Sequence, residues 1–230
     1  GAWMINDVSP TIAVPGILTI TGDMDFANEN DVIRIVRDAN NSSLVNVFLN
    51  NLGPVPNGQF SLDAIEQINV FSLGGNDQLI VDSTNGLIDV PNGIFYNGGT
   101  GIDRLDMRQD TGTQLSETIH VGQTPGEGQD IIVGSVGQQT VQFEHLEPIS
   151  TNIVAPSFAI TSLAGLSSLL QDSNQINYLS SPAMGATWGR ITVDNFELID
   201  FTNKGVVTID AGAGSDYINL NNPFLPNGLT

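Results

Sequence analysis

Aspartates that follow glycine are the residues of this chain most suited to chemistry. Four segments place an Asp two residues before a Leu or Ile, and they read GGTGIDRLD (98–106), AGAGSDYIN (211–219), PGEGQDIIV (125–133) and SLGGNDQLI (72–80). Glycine permits backbone angles that are closed to other residues, and a carboxylate offers the hard oxygen ligand that calcium prefers. The pattern predicts calcium at turns built from Asp103, Gly99, Gly101, Asp77, Asp130, Asp216, Gly212 and Gly214.

These segments resemble the haemolysin-type, or repeats-in-toxin, calcium-binding repeat, whose nine-residue pattern is GGxGxDxUx with U a large aliphatic residue. The wider alternation of such turns with short apolar strands resembles large, repetitive, secreted bacterial surface proteins. The resemblance implies a right-handed parallel β-solenoid, calcium-dependent order and an adhesive or cell-surface role. Asp77, Asp103 and Asp130 are 26 and 27 residues apart, which suits one β-helix coil per motif better than the tight nine-residue roll.

Other oxygen donors lie near two of these aspartates in the sequence. They are Asp106, Asp110 and Asn97 around Asp103, and Asp210, Asn219 and Asn221 around Asp216. The alternative interpretation is a metal-free turn, in which Asp caps backbone N–H groups and Gly supplies the positive φ. The acidic run over 23–31 is a looser metal candidate, and a solvated acidic loop is the favoured interpretation of it.

Composition narrows the classes of partner. With 25 acidic and 6 basic residues, the net charge of −19 repels nucleic acid and anionic membrane and favours divalent cations. The absence of cysteine excludes disulfides and thiolate metal sites. No apolar run reaches the roughly 18 residues of a membrane span. We therefore expect an extracellular or cell-surface protein whose partners are calcium, extracellular polysaccharide or other copies of the same protein.

Catalytic groups are sparse, so an enzyme is the less favoured interpretation. His120 and His145 are the only histidines and lack metal-ligand spacing. A β-helix polysaccharide lyase or glycosidase stays open as an alternative, because carboxylates are abundant and Arg104 and Arg108 lie beside Asp103 and Asp106. A carbohydrate-binding module is a second alternative, with aromatic side chains available to stack on sugars at Trp3, Trp188, Tyr96, Tyr178 and Tyr217.

The fold class predicted is all-β, as a right-handed parallel β-helix with a β-sandwich as the alternative, because short apolar runs alternate with Gly, Asn and Asp turns. A helix is expected only over 162–171. Strands are predicted at 18–20, 32–36, 44–49, 68–71, 78–81, 93–96, 118–121, 130–133, 140–143, 190–193, 198–201, 206–209 and 217–220.

Internal repetition suggests the organisation of the chain. The pairs Glu66 and Glu197, Asp77 and Asp216, and Pro91 and Pro226 are separated by 131, 139 and 135 residues. We therefore expect a β-solenoid repeat region over 1–150, an insertion over 151–187 and the start of the next repeat over 188–230, in a piece of a tandem array.

Overall fold

Strands make up the regular structure of this chain. The computed structural model describes residues 9–13, 16–23, 28–50, 54–122, 124–162, 174–181, 184–194 and 198–221. Across those ranges the only helix is a 3-10 turn, Leu62–Ala64. The strands are β1 Ser9–Ala13, β2 Ile17–Thr21, β3 Val32–Arg37, β4 Leu44–Leu49, β5 Pro54–Ser61, β6 Gln67–Phe71, β7 Gln78–Asp82, β8 Ile94–Asn97, β9 Arg104–Arg108, β10 Ser116–Val121, β11 Gly128–Val133, β12 Gln138–Glu144, β13 Ile149–Thr151, β14 Ala155–Ser162, β15 Gln175–Ser180, β16 Gly189–Val193, β17 Leu198–Phe201, β18 Lys204–Ile209 and β19 Tyr217–Asn221.

The strands form two large mixed sheets. The first sheet has the order β1-β2-β6-β8-β12-β11-β10-β14-β18, and the second has the order β19-β15-β16-β17-β13-β9-β7-β3-β4-β5. The all-β prediction is thereby confirmed. Antiparallel pairs interrupt the parallel ones in both sheets, and no closed solenoid is formed by the described residues, so the architecture is also compatible with the β-sandwich alternative.

Successive strands repeatedly cross from the first sheet to the second. Thus β6 leads into β7 and β8 into β9, while β6 pairs in parallel with β8 and β7 pairs in parallel with β9. The pattern continues in the parallel pairs of β12 with β8 and of β13 with β9. The turns between the two sheets are consequently brought side by side at one edge, and Asp77 and Asp103 lie in these turns.

The core lies between the sheets because alternate residues of each strand are apolar and point inwards. Matching registers stack aliphatic side chains, as where Ile68 pairs with Ile94 and Leu79 pairs with Leu105. All four of these side chains are at most 1% exposed. The central strand β7 is buried along nearly its whole length. Continuous aliphatic stacks of this kind fix the register, because a one-residue slip would turn the apolar set outwards.

Every strand predicted from the alternation is present, with ends shifted by no more than a few residues. The pattern missed six strands, namely β1, β5, β9, β13, β14 and β15. Part of the predicted insertion over 151–187 forms β14 in the first sheet and β15 in the second. The helix predicted over 162–171 lies outside the described residues, except for Ser162, which ends β14. No helix in the described ranges is long and apolar enough to cross a membrane.

Candidate functional site

Three aspartates stack at the edge where the chain passes from the first sheet to the second. Asp31, Asp77 and Asp103 each stand one residue before a strand of the second sheet, β3, β7 and β9 respectively. Since these strands are parallel neighbours in register, the residues that precede them lie one above another. We call this arrangement the aspartate ladder.

Hydrogen bonds join each rung of the aspartate ladder to the next. The backbone N–H of Asp31 donates to Oδ1 of Asp77 at 2.7 Å, and the N–H of Asp77 donates to Oδ1 of Asp103 at 2.8 Å. The backbone continues the same connection, because Gln78 N–H donates to the Asp31 carbonyl and Arg104 N–H donates to the Asp77 carbonyl, both at 2.8 Å. Oδ1 of Asp77 and Oδ1 of Asp103 therefore already accept hydrogen bonds that hold the turns together.

A row of asparagines reinforces the ladder from the outside. Oδ1 of Asn30 accepts the N–H of Asn76 at 2.7 Å, and Oδ1 of Asn76 accepts the N–H of Ile102 at 2.9 Å. Asn76 thus accepts an amide of the turn that contains Asp103, whereas Asp77 accepts one of the turn that contains Asp31. Such side-chain acceptors satisfy donors that a strand end would otherwise leave without a partner.

Glycines allow these turns to approach closely. Gly101 has φ +137°, and a Cβ placed on it would lie 1.5 Å from the Gly75 carbonyl oxygen. Gly75 has φ +121°, and its Cβ would lie 1.9 Å from the Glu29 carbonyl oxygen. Gly99, at φ +89°, meets the backbone of Leu73 in the same way. The glycines of the predicted motif are needed for turn-on-turn contact whether or not an ion binds.

Burial makes the ladder electrostatically unusual. Asp77 and Asp103 are each 1% exposed, and Oδ2 of each is buried without a hydrogen-bond donor among the described residues. Burial raises the pKa of the Asp77 carboxyl to about 7, against the hydrogen bond from Asp31 N–H, and the negative charges of Asp103 and Asp31 add to the rise. Burial also raises the pKa of Asp103, although the N–H of Asp77 opposes that rise. A proton or a bound cation would stabilise these buried oxygens.

The acidic run over 23–31 belongs to this site. Asp23 accepts backbone N–H groups from Asn28, Glu29 and Gly74 at 2.9–3.0 Å. Asp31 is 1% exposed and forms the first rung. The expectation of a solvated loop is therefore wrong for these two aspartates, because Asp23 accepts a hydrogen bond from the next turn and Asp31 is buried. Asp25 lies outside the described residues.

The remaining predicted turns lie elsewhere. Asp216 stands directly before β19, and its Oδ1 accepts both the backbone N–H and the side-chain Nδ2 of Asn174 at 3.0 Å. Gly212 and Gly214 have φ values of +78° and +131°, as the motif requires. Asn174 here takes the position that Asp31 has beside Asp77. A second, shorter version of the ladder contact is formed.

Asp130 is not in a turn. It lies inside β11 of the first sheet, fully buried, and its carboxyl group lies near that of Glu117 on β10. Burial first, and then the charge of Glu117, raise the pKa of Asp130 well above its usual range. The sequence motif around Asp130 therefore marks a buried carboxyl pair in the core of the molecule.

The other predicted oxygen donors do not converge on Asp103. Asp106 pairs with Arg108 at 2.8 Å, and Asn97 contacts Glu144 and, at 3.3 Å, the ring of His145. Near Asp216, Asp210 accepts from the N–H of Gly212 at 3.0 Å. Within the described ranges, no group of three or more His, Asp or Glu side chains is arranged to hold a metal ion.

The predicted aromatic residues do not form a sugar-binding platform in the described part of the chain. Tyr96 is fully buried and its hydroxyl accepts from Ser72, Tyr178 stacks on Phe201, and Tyr217 is exposed at the end of the second sheet. Trp3 lies outside the described residues, and Trp188 lies before β16.

Sequence reasoning missed an aromatic pair on the outer face of the first sheet. Phe71 of β6 and Phe95 of β8 meet edge to face, with ring centroids 5.9 Å apart. Asn69 and Gln142 share this face, because they are in register with Phe95. The alternation of β6 contained the signal, since Phe71 falls on the opposite face from Ile68 and Val70.

Comparison of the chain with protein-family models, with curated proteins and with solved structures finds no match.

Proposed function

We propose that this chain is a non-catalytic structural module of a secreted, repetitive bacterial surface protein, and that calcium binds to its stacked aspartate turns. The observation that carries the proposal is the aspartate ladder. It joins successive turns through side-chain and backbone hydrogen bonds and leaves buried carboxylate oxygens of Asp77 and Asp103 without donors. A module of this kind transmits adhesion or coats an envelope.

The architecture proposed is a right-handed parallel β-helix elaborated by hairpins. Its support is the repeated passage from the first sheet to the second, with parallel pairing of β6 to β8 and of β7 to β9. Asp77 and Asp103 are one such passage apart, 26 residues. This spacing corresponds to one coil per motif, as predicted from the sequence. The hairpin β4–β5 accounts for the longer separation of Asp31 from Asp77, 46 residues.

Calcium suits the donor chemistry of the ladder. Asp77 and Asp103 would each supply a carboxylate oxygen, and a divalent cation would offset the repulsion between adjacent buried carboxylates. Two oxygens are far fewer than the roughly six to eight that calcium takes, so the described residues do not provide the closed cage of the resembled family. We therefore propose weak binding, in the roughly 0.1–1 mM range of extracellular modules.

A thermal scan tests this proposal. At pH 8, millimolar calcium should raise the melting temperature above that measured with chelator, because an ion that binds only the folded state stabilises it. Magnesium at the same ionic strength separates site binding from general screening of the −19 charge. At pH 5 the calcium effect should shrink, since protons then occupy the Asp77 carboxyl.

Matched variants locate the ion. Asp77→Asn should abolish the calcium response at pH 8, whereas Asp216→Asn should preserve most of it, because Asp216 lies in a separate turn. Equal melting curves with calcium and with chelator would remove calcium from the proposal and leave the ladder as a set of turns. Cleavage of acidic polysaccharide by the purified chain, lost on mutation of Arg104 or Arg108, would replace the structural function by an enzymatic one.

The aromatic pair favours carbohydrate binding as a second function. Phe71 and Phe95 offer apolar ring surface beside the amides of Asn69 and Gln142, a combination suited to the faces and hydroxyls of sugars. A polar groove of about 460 Å³ adjoins this face and includes Gln67 and Gln142. Titration calorimetry with neutral oligosaccharides tests it, and Phe95→Ala should remove any binding that this face produces. Binding unchanged in that variant would exclude this face.

A further inference from the structure

The only lysine of the chain lies in the core. Lys204, the first residue of β18, is fully buried, although lysine is among the residues least often buried. Its Nζ contacts Oε2 of Glu117 and donates to the carbonyl of Ile153 at 2.6 Å and to Oγ1 of Thr151 at 3.2 Å. The lysine Nζ is therefore held by one carboxyl group, one backbone carbonyl and one hydroxyl group, out of reach of solvent.

A second carboxyl group completes this cluster. Glu117 of β10 and Asp130 of β11 lie on adjacent strands, are both fully buried, and are close enough for the charge of Glu117 to act on Asp130. Neither oxygen of Asp130, nor Oε1 of Glu117, has a hydrogen-bond donor among the described residues. Two buried carboxyl groups beside one ammonium are stabilised when one of them is protonated. Burial and the charge of Glu117 raise the pKa of Asp130, which favours the protonated form of Asp130.

Apolar surroundings isolate the three groups from water. The ring of Phe158 lies 5.0 Å from Nζ, and the neighbouring core includes Ile119 and Ile132. Burial of an ion pair of this kind has a large desolvation cost, whereas a neutral bond formed from the same two groups avoids that cost. The site thus holds a nucleophile, an electrophile and an acid in contact, and it favours a reaction that removes both charges.

We propose that Lys204 and Glu117 condense after folding into an intramolecular amide, with Asp130 as the proton-transfer group. In the first step the ammonium gives one proton to the Glu117 carboxylate, which produces a neutral amine and a neutral acid. Nζ then attacks Cδ of Glu117, and a bond forms between them. Asp130 donates its proton to the departing hydroxyl and recovers one from nitrogen, so that one water leaves and Asp130 is unchanged.

The amide would lock the two sheet regions that hold these residues. Glu117 and Lys204 are 87 residues apart in the sequence. Their strands β10 and β18 are separated in the first sheet by β14 alone. A covalent bond here closes a long loop and restrains the edge strand β18 against pulling, which suits a structural module but does not depend on calcium or on the surface role proposed above.

Mass spectrometry of the denatured, full-length chain tests the proposal. The intact mass should be lower than the mass of the sequence by one water. An amine-reactive ester applied in denaturant should label a single site, the N-terminal amine, because no free lysine remains. Trypsin should yield peptide 109–190 joined to peptide 191–230, since the only basic residue between 191 and 230 is Lys204. If protein that had been folded shows the full mass of the sequence and two labelled amines after denaturation, the amide is refuted.

Variants identify the role of each carboxyl group. Glu117→Gln should form the same bond with loss of ammonia in place of water, whereas a loss of water in that variant would show that Asp130 is the acceptor and overturn the assignment. Asp130→Asn should slow the condensation at least tenfold and restore the second labelled amine. Unchanged kinetics would exclude Asp130 as the proton-transfer group. Circular dichroism confirms that each variant is folded, and Glu66→Gln, at an exposed carboxylate, is the control for a charge change alone.

Discussion

The Asp77 carboxyl should destabilise the fold at neutral and alkaline pH when no cation is present. Its pKa of about 7 in the folded chain stands above the ordinary value of 3.8, so the folded state binds this proton more tightly than the unfolded state does. The folded state therefore gains stability from this group as the pH falls from above 7 towards 3.8. Asp77→Asn removes the charge and keeps the oxygen that accepts the Asp31 N–H.

The magnitude follows from the difference between the two pKa values. At 1.36 kcal/mol per pKa unit, ionisation of Asp77 costs the fold about 4 kcal/mol at pH 8 and about 1.5 kcal/mol at pH 5. The Asp77→Asn variant is free of this cost at both pH values. Its advantage over the wild type in free energy of unfolding should therefore be about 2 to 3 kcal/mol larger at pH 8 than at pH 5.

Urea unfolding in the presence of chelator measures this quantity. Wild type and Asp77→Asn are compared at both pH values, so that effects common to the two proteins cancel. Asp63→Asn is the matched control, because Asp63 is an exposed aspartate in the 3-10 turn and loses the same charge. A difference between Asp77→Asn and wild type that is the same at pH 5 and pH 8 would refute the reasoning from burial.

Two further substitutions, each with a matched control substitution, test the packing of the turns and of the second sheet. Gly101→Ala should cost about 4 kcal/mol or more in urea unfolding, because the new methyl group would lie 1.5 Å from a backbone oxygen of the neighbouring turn. Gly185 also has a positive φ, but open space surrounds the position of its Cβ, so Gly185→Ala should lower the free energy of unfolding by only about 1 to 2 kcal/mol. Equal losses of stability in the two glycine variants would contradict the close contact at Gly101. Arg190→Ala should cost about 3–5 kcal/mol, because it leaves the buried Asp200 carboxylate without its bidentate partner. Arg108→Ala, at a more exposed ion pair, should cost less than about 1 kcal/mol, and a similar loss in both arginine variants would argue against the role of burial.

The strand positions were predictable from the sequence because they depend on local alternation. Apolar residues at every second position of 68–71 and 78–81 require one buried face, whichever strand lies next to them. The same holds for the Gly-Asp turns at Asp77, Asp103 and Asp216. Each of these aspartates stands one residue before a strand of the second sheet. These turns were predictable because their geometry is encoded within a few neighbouring residues.

Strand pairing depends on residues far apart in the sequence, and only the tertiary structure decided it. Asp31, 46 residues before Asp77, becomes a rung because β3 pairs in parallel with β7, while β4 and β5 extend the second sheet beyond β3. Asp130 has the same local motif as Asp103, yet the antiparallel pairing of β10 with β11 places it beside Glu117 in the core. Local sequence determined which residues turn and which extend. The environment of each carboxyl group, and hence its charge and chemistry, was set by the strands that long-range packing brought beside it.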